Sequence, residues 1–529
     1  MVINMAEYKI NGNECLGIEL GSTRIKAVLI DSDCNPVAIG SSEWENRFVD
    51  GLWTYSVDDI WNGIRSAYAD LKSNVLNKYG VKITKLSAMG FSGMMHGYMP
   101  FDNNGKLLVP FRTWRNTVTA DASARLTELF GFNIPQRWSI SHFYQAVLNK
   151  EAHIENVDFI TTVAGYVHWK LSGEKVIGIG EASGMFPVDS FENCYDREML
   201  NKFNDIEAVK EKGFDLRNIL PEILTAGDNA GFLTAQGALL IDPDGDLSEG
   251  IAMCPPEGDA GTGMVATDSV RVKTGNVSAG TSIFSMVVID KPLNSVYEEI
   301  DMVTTPDGSP VAMVHCNNCC SDLDCWVNLF YEFSRLSGEA VEKSKIYDIL
   351  YRAALDGEND GGGLVSYNFF SGEPVIGFST GIPVFARSKN SSFNLPNFMR
   401  THLYSAMAVL KIGMEILEKE QIEINAITGH GGLFKTEYVG QKLLADALGI
   451  PVSVMETAGE GGAWGIAVLA QYMCAESGLS LADYLDNCVF SKCKCSTVLP
   501  DTDAANGFKS YLELYKKGLI IAKTAADRI

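Results

Sequence analysis

Positive charge is scarce in this chain: 43 Lys and Arg stand against 66 Asp and Glu, a net charge of −23 over 529 residues. So acidic a surface argues against nucleic acid or anionic membrane as a partner. Any bound phosphate must then rely on backbone amides, a metal ion or a few placed cations. Long apolar runs are also missing, and none approaches the ~20 residues of a membrane span. The opening MVINMAEYKINGNEC has no basic stretch followed by an apolar one, so no secretory signal is expected and a cytoplasmic location is. No G-x-x-x-x-G-K-[ST] occurs, which excludes a P-loop nucleotidase.

Cysteine is not scarce, with twelve in all, but a disulfide framework is not expected in a reducing compartment or in a chain with this much core. Two local clusters stand out, Cys316, Cys319, Cys320 and Cys325 beside His315, and Cys488, Cys493 and Cys495. The first holds a C-x-x-C, half of a zinc spacing, with no second half after it. Small buried thiols at a strand end and a helix start are the expectation. A metal- or redox-responsive protein is the rival reading.

What the chain does have is one pattern twice. Residues 17–31, GIELGSTRIKAVLID, align with residues 276–290, NVSAGTSIFSMVVID: Gly21 on Gly280, Ser22 on Thr281, Thr23 on Ser282, Asp31 on Asp290. Each copy is a β-run, a Gly-hydroxyl-hydroxyl turn and a second β-run. Glycine permits close approach of a ligand, and turn amides and hydroxyls are donors suited to an anion. One such turn alone is a common hairpin loop. Two copies half a chain apart point to a duplicated domain pair holding a polyphosphate from two sides.

The length favours two domains, and the boundary is placed near residue 265, giving 1–264 and 265–529. Residues 57–79 carry Ile60, Ile64, Ala67 and Leu71 at helical spacing and stop at Gly80. Residues 36–48 read as a third strand, and further helices are expected near 117–131, 143–152, 162–171, 321–336, 341–356 and 400–419. Residues 427–454 read strand, glycine turn, helix, strand. Residues 459–470, GEGGAWGIAVLA, read as a glycine turn entering a tightly packed helix. VIGIGEASG at 176–184 has the wrong spacing for a dinucleotide fingerprint.

Glu19 shares Gly21's side of its strand and can hold Mg²⁺, directly or through water, against bound phosphates. Asp259, in PPEGDAGTGM after an apolar run, suits a base accepting a proton from a substrate hydroxyl, with Glu257 as a competing acid. Met95-His96 and Trp114-Arg115-Asn116 combine polar groups with an apolar surface, as a polyol requires.

These blocks resemble the FGGY carbohydrate kinases. GIELGSTRIKAVLID resembles that family's first phosphate motif. GLWTYSVDDIW at 51–61, GFSGMMHGYMPFD at 90–102, EASGMFPVD, EGDAG, SAGTS, GGLFKTEYVGQKLLADALGIPV and GGAWGIAVLA follow in the family's order. The resemblance implies an α/β fold of two actin-like (ribonuclease H-like) ATPase domains, each a mixed sheet flanked by helices, with a cleft between them. It implies transfer of the ATP γ-phosphoryl group to a sugar hydroxyl, with Mg²⁺ bridging the β- and γ-phosphates. Asp259 would be the base, Gly21–Thr23 and Gly280–Ser282 the phosphate clamps, and Gly431, Gly432 and Thr436 the adenosine site. Met95-His96-Gly97 resembles the xylulokinase-like branch, so a ketose such as xylulose is expected. Alternatives are a polyol, deoxyketose, heptulose or sugar acid kinase, or a non-kinase actin-fold ATPase. The partners implied are a small sugar and ATP, and a homodimer is compatible with the chain.

The chain departs from the family's pattern at three places. Glu19 stands where Asp is usual, and Asn116 where many relatives carry Asp in Trp-x-Asp. SAMAVLKIG at 405–413 lacks the Glu that relatives place before its glycine.

Overall fold

The Gly21-Ser22-Thr23 turn joins β1 (Cys15–Leu20) to β2 (Arg24–Ile30) as an antiparallel hairpin, with Cys15 opposite Ile30 and Leu20 opposite Ile25. The computed structural model describes residues 9–338, 341–456, 461–475 and 477–529. β3 (Pro36–Glu43) pairs antiparallel with β2 and is shorter than the run 36–48 predicts. The chain leaves the ladder at Trp44, whose indole and backbone N–H groups donate to the Gly21 and Thr23 carbonyls instead, at 2.7 and 3.2 Å.

α1 (Val57–Tyr79) starts and stops where its caps dictate. Ser56 and Asp59 form a reciprocal capping box, and Gly80 ends the helix at φ 70°. Its apolar face packs on the sheet, with Ile60, Ile64, Ala67 and Leu71 buried. β4 (Ala88–Gly93) lies parallel to β1, and two short strands, β5 (Ala252–Met253) and β6 (Glu257–Gly258), lie parallel to β4. The order is β5-β4-β1-β2-β3. The eight-residue helix α2 (Asp259–Ala266) follows β6 directly.

The second half repeats this plan. β7 (Thr274–Ala279) and β8 (Ile283–Val288) form the second hairpin, and β9 (Pro310–Cys316) pairs antiparallel with β8. α3 (Leu395–Lys419) precedes β10 (Ala426–His430), which lies parallel to β7. α4 (Val439–Leu448) then leads to β11 (Val452–Met455), parallel to β10, and β12 (Cys495–Val498) closes that edge antiparallel. Six of the sheet's seven strands thus run β9-β8-β7-β10-β11-β12. The run β9-β8-β7-β10-β11 copies β3-β2-β1-β4-β5 in order and strand sense, so the duplication visible in two hairpins extends to whole sheets.

The chain divides into two units, Met1–Val270 with Met302–Pro310 and Glu460–Lys492, and Arg271–Asp301 with Val311–Gly459 and Cys493–Ile529. A single cut near 265 leaves out these returns. The helix Gly461–Cys474 belongs with the first unit because its small residues let it lie against β1 and α2. A Cβ at Gly17 would sit 2.0 Å from the Ala463 carbonyl, and one at Gly465 would sit 2.1 Å from the Thr262 carbonyl. Positions 459–460 of the predicted glycine turn lie outside the described residues.

Candidate active site

Asp259 is the first residue of α2, one residue past β6, and its half-buried carboxylate accepts the Met95 N–H at 3.1 Å. Burial raises its pKa to about 6, so it is ionised at neutral pH yet more basic than an ordinary aspartate. Glu257, the competing acid, is buried behind it. Its two oxygens take the Gly180 and Glu181 N–H groups at 3.2 and 2.9 Å, at the start of the short helix Ile179–Ala182. That separates the two acids by environment: Asp259 is partly exposed as a residue, and Glu257 is fully buried and pins the EASG turn.

Glu19 sits near the end of β1, where its Oε2 accepts the Ala463 N–H at 3.2 Å in the first turn of Gly461–Cys474. A Cβ at Gly462 would come within 2.7 Å of Glu19 Oε1 and of Thr262 Oγ1, so this helix meets the carboxylate only because glycine is there. Burial and the negative charge of Asp259 raise the Glu19 pKa to about 7. Hard carboxylate oxygens near an expected polyphosphate suit Mg²⁺, which binds through one or two carboxylates plus phosphate and water. No cluster of three or more His, Cys, Asp or Glu that could hold a metal occurs among the described residues.

His96 adopts a left-handed backbone, φ 72°, and its Nδ1–H donates to the Gly184 carbonyl at 3.2 Å. A carbonyl only accepts, which fixes the proton on Nδ1. The ring stacks on Trp138 at 6.3 Å, and a Cβ on Gly184 would lie 2.5 Å from Nδ1. The glycine of EASG is therefore what lets the Met95-His96 segment lie beside it.

Within Trp114-Arg115-Asn116, the Asn116 amide is already engaged by backbone. Asn116 is buried; its amide donates to the Trp53 and Thr113 carbonyls at 2.8 and 2.9 Å, and its oxygen accepts the Trp53 N–H at 2.8 Å. Both amide hydrogens are thus engaged by backbone. The Arg115 guanidinium lies 4.1 Å from the Trp53 ring centre, and Trp114 is half-buried against the core.

In the second unit, Gly280-Thr281-Ser282 and the Gly431-Gly432 turn adjoin. β7 and β10 pair in parallel up to Ser278 opposite His430, and Gly431 follows at φ 100°. A Cβ there would lie 2.5 Å from the Ala279 carbonyl, so only glycine can cross the strand end so closely. Thr436 is buried just beyond.

Both hairpins share a feature not legible in either motif. Trp44 and Tyr55 donate to the Gly21 and Ser22 carbonyls, at 2.7 and 2.5 Å. Cys320 and Cys319 donate from the backbone to the Gly280 and Thr281 carbonyls, at 3.0 and 2.9 Å. In each turn the acceptors are thus satisfied from within the same unit. The glycine N–H is used inside the turn as well, donating to the Arg24 carbonyl at 3.0 Å in the first and to the Ser282 carbonyl at 2.9 Å in the second. The hydroxyls and the N–H groups after the glycine are the donors suited to an anion. The C-x-x-C segment is this brace, at the end of β9 and the cap of Ser321–Leu336, with Cys316, Cys319 and Cys320 buried.

Two features escaped sequence reasoning. The Ser92 and Thr262 hydroxyls pair at 2.9 Å beneath Glu19. Glu181 is buried against Gly258, where a Cβ would be 2.4 Å from its Oε2, and burial raises its pKa well above the carboxylate range. The EASG motif contains Glu181, but only packing shows that it abuts the residue preceding Asp259.

Comparison with known proteins matches these parts to a family. Residues 15–242 match the N-terminal domain, and residues 275–474 the C-terminal domain, of the FGGY family of carbohydrate kinases. The chain is 22% identical to a xylulose kinase of Haemophilus influenzae over 88% of this chain and 91% of that one. Its fold is similar to that of ligand-bound xylulose kinase from Lactobacillus acidophilus, with TM-score 0.78 and 15% identity over 97% and 99% of the two chains. It is equally similar to gluconate kinase from the same organism, with TM-score 0.77 and 15% identity over 98% and 99%. With both family domains matched in order across an α/β fold of the actin-like ATPase type, the chain belongs to the FGGY carbohydrate kinases and is a sugar kinase, a phosphotransferase acting on an alcohol group.

Proposed function

We propose that this kinase transfers the γ-phosphoryl group of ATP to a hydroxyl of a ketose, xylulose or a close relative, with Asp259 as the base. The observation that carries the site assignment is the Asp259 carboxylate at the start of α2, on a partly exposed residue and held by the Met95 N–H, while both oxygens of the buried Glu257 are taken by backbone. The Met95-His96-Gly97 segment and the 22% identity to a xylulose kinase over most of both chains support a ketose acceptor.

In the proposed reaction the acceptor hydroxyl gives its proton to Asp259 as its oxygen bonds to phosphorus, and the bond from phosphorus to the ADP oxygen breaks. Ser22 and Thr23 in the first unit, and Thr281 and Ser282 in the second, offer hydroxyl and backbone donors to phosphate, while Gly21 and Gly280 hold the turns and leave room for it. Gly431, Gly432 and Thr436 receive the adenosine. Met95, His96 and Trp114 line the acceptor side, and Asn116 acts through Trp53. Glu19 would hold Mg²⁺, directly or through water; the ion supplies neutralisation of charge on the β- and γ-phosphates. Such transfer depends on positioning and electrostatics more than on covalent chemistry by the protein.

ADP release measured against ketoses, aldoses, polyols and sugar acids tests the acceptor. Highest kcat/KM on a ketose supports the reading, and highest kcat/KM on a sugar acid such as gluconate overturns it.

A further inference from the structure

Cys15 and Cys474 lie at opposite ends of the chain, yet folding brings them together. Cys15 is the first residue of β1, and Cys474 the last of the helix that returns to lie along that strand. The buried Cys15 thiol donates to the Gln471 side-chain oxygen at 3.1 Å, one turn before Cys474 on the same helix, and the two thiols are near enough to shift each other's ionisation. Both are free, and Cys474 is partly exposed. The neighbouring Cys15 side chain lowers the Cys474 pKa to about 6, while Cys474 and burial raise that of Cys15. An accessible, acidic thiol beside a buried partner is the arrangement of an attacking and a resolving cysteine.

We propose that Cys15 and Cys474 are a thiol modification site, forming a reversible disulfide by exchange with a low-molecular-weight disulfide such as oxidised glutathione. The Cys474 thiolate attacks one sulfur of the glutathione disulfide, forming a mixed disulfide and releasing one glutathione thiolate. Cys15 loses its proton and attacks the Cys474 sulfur, which breaks the mixed disulfide and releases the second glutathione. Two protein thiols are oxidised and one disulfide is reduced to two thiols; a dithiol reverses the exchange. The crosslink joins the strand carrying Glu19 to the helix whose Ala463 N–H binds Glu19. The inference is independent of which sugar is phosphorylated.

The test treats the folded protein with oxidised glutathione, alkylates the remaining thiols in acid and maps the peptides. The expected result is a Cys15–Cys474 crosslinked peptide that dithiothreitol removes. In a Cys15→Ala variant, glutathione should instead accumulate on Cys474. The wild-type map needs no variant and stands if Cys15→Ala fails to fold. Reaction confined to the exposed Cys325, Cys488 and Cys495, stable glutathione on wild-type Cys474, or a crosslink through the neighbouring Cys254 would overturn the proposal.

Discussion

At the scale of single residues, burial decides what each carboxylate does. Asp259 and Glu257 are two residues apart, but Asp259 is a partly exposed residue whose carboxylate takes the Met95 N–H, whereas both Glu257 oxygens are bound by the Gly180 and Glu181 amides. Asp259 must be ionised to accept a proton, and its pKa is raised to about 6. kcat/KM is therefore expected to fall at least about tenfold per unit as pH drops below about 6, and to level off only above about 7, where Glu19, raised by burial and by Asp259, is ionised as well. Glu19 titrates near 7 under the influence of Asp259, so the measured limb belongs to the pair. A flat profile from pH 5 to 8 would remove Asp259 from the role of base. Asn116→Asp is a second case. A carboxylate there faces the Trp53 and Thr113 carbonyls without hydrogens to donate, so a loss of about 1–3 kcal/mol in stability is expected by denaturant unfolding. Relative rates across a sugar panel should stay the same; a reordered preference would show that residue 116 meets the acceptor.

At the scale of elements, contacts through glycine set the architecture around the site. The helix Gly461–Cys474 touches α2 where Gly465 faces the Thr262 backbone, and a methyl there would lie 2.1 Å from a carbonyl oxygen that cannot swing away. Gly465→Ala is expected to destabilise the protein by at least 1–3 kcal/mol, the usual range of overpacking, seen as a lower denaturation midpoint; an unchanged midpoint would mean that the contact relaxes freely. Local signals made much of this layer legible. The Ser56–Asp59 capping box and Gly80 fix α1 at the predicted 57–79, and both Gly-hydroxyl hairpins form where their sequences align. Long-range contacts stayed hidden. Nothing near residue 116 in sequence announces Trp53, and nothing in GGAWGIAVLA says that it lies on β1 at the other end of the chain. The C-x-x-C reads in sequence as small buried thiols at a strand end and a helix start, and Cys316, Cys319 and Cys320 lie there, but nothing in the spacing announces that the backbone N–H groups of Cys319 and Cys320 brace the second hairpin.

At the scale of the molecule, duplication and acidity are linked. Each unit repeats three antiparallel strands followed by parallel ones, and each carries one Gly-hydroxyl turn whose carbonyls are satisfied from behind. A chain with net charge −23 can in this way offer phosphate donors that carry no formal charge. The proposed transfer turns on Asp259, and its substitution by Asn separates chemistry from folding. The native pKa of about 6 exceeds the ordinary carboxylate value of about 3.9. The folded protein therefore holds the proton more tightly than the unfolded chain, and stability falls as pH rises through that window. Removing the charge should leave the denaturation midpoint at pH 7.5 unchanged or higher. The most direct measurement is ADP release by Asp259→Asn with the best acceptor, beside ATP affinity determined by calorimetry. The expected result is a loss of at least about a thousandfold in kcat, with ATP affinity within threefold of the parent. Turnover within tenfold of the parent would contradict the assignment of the base.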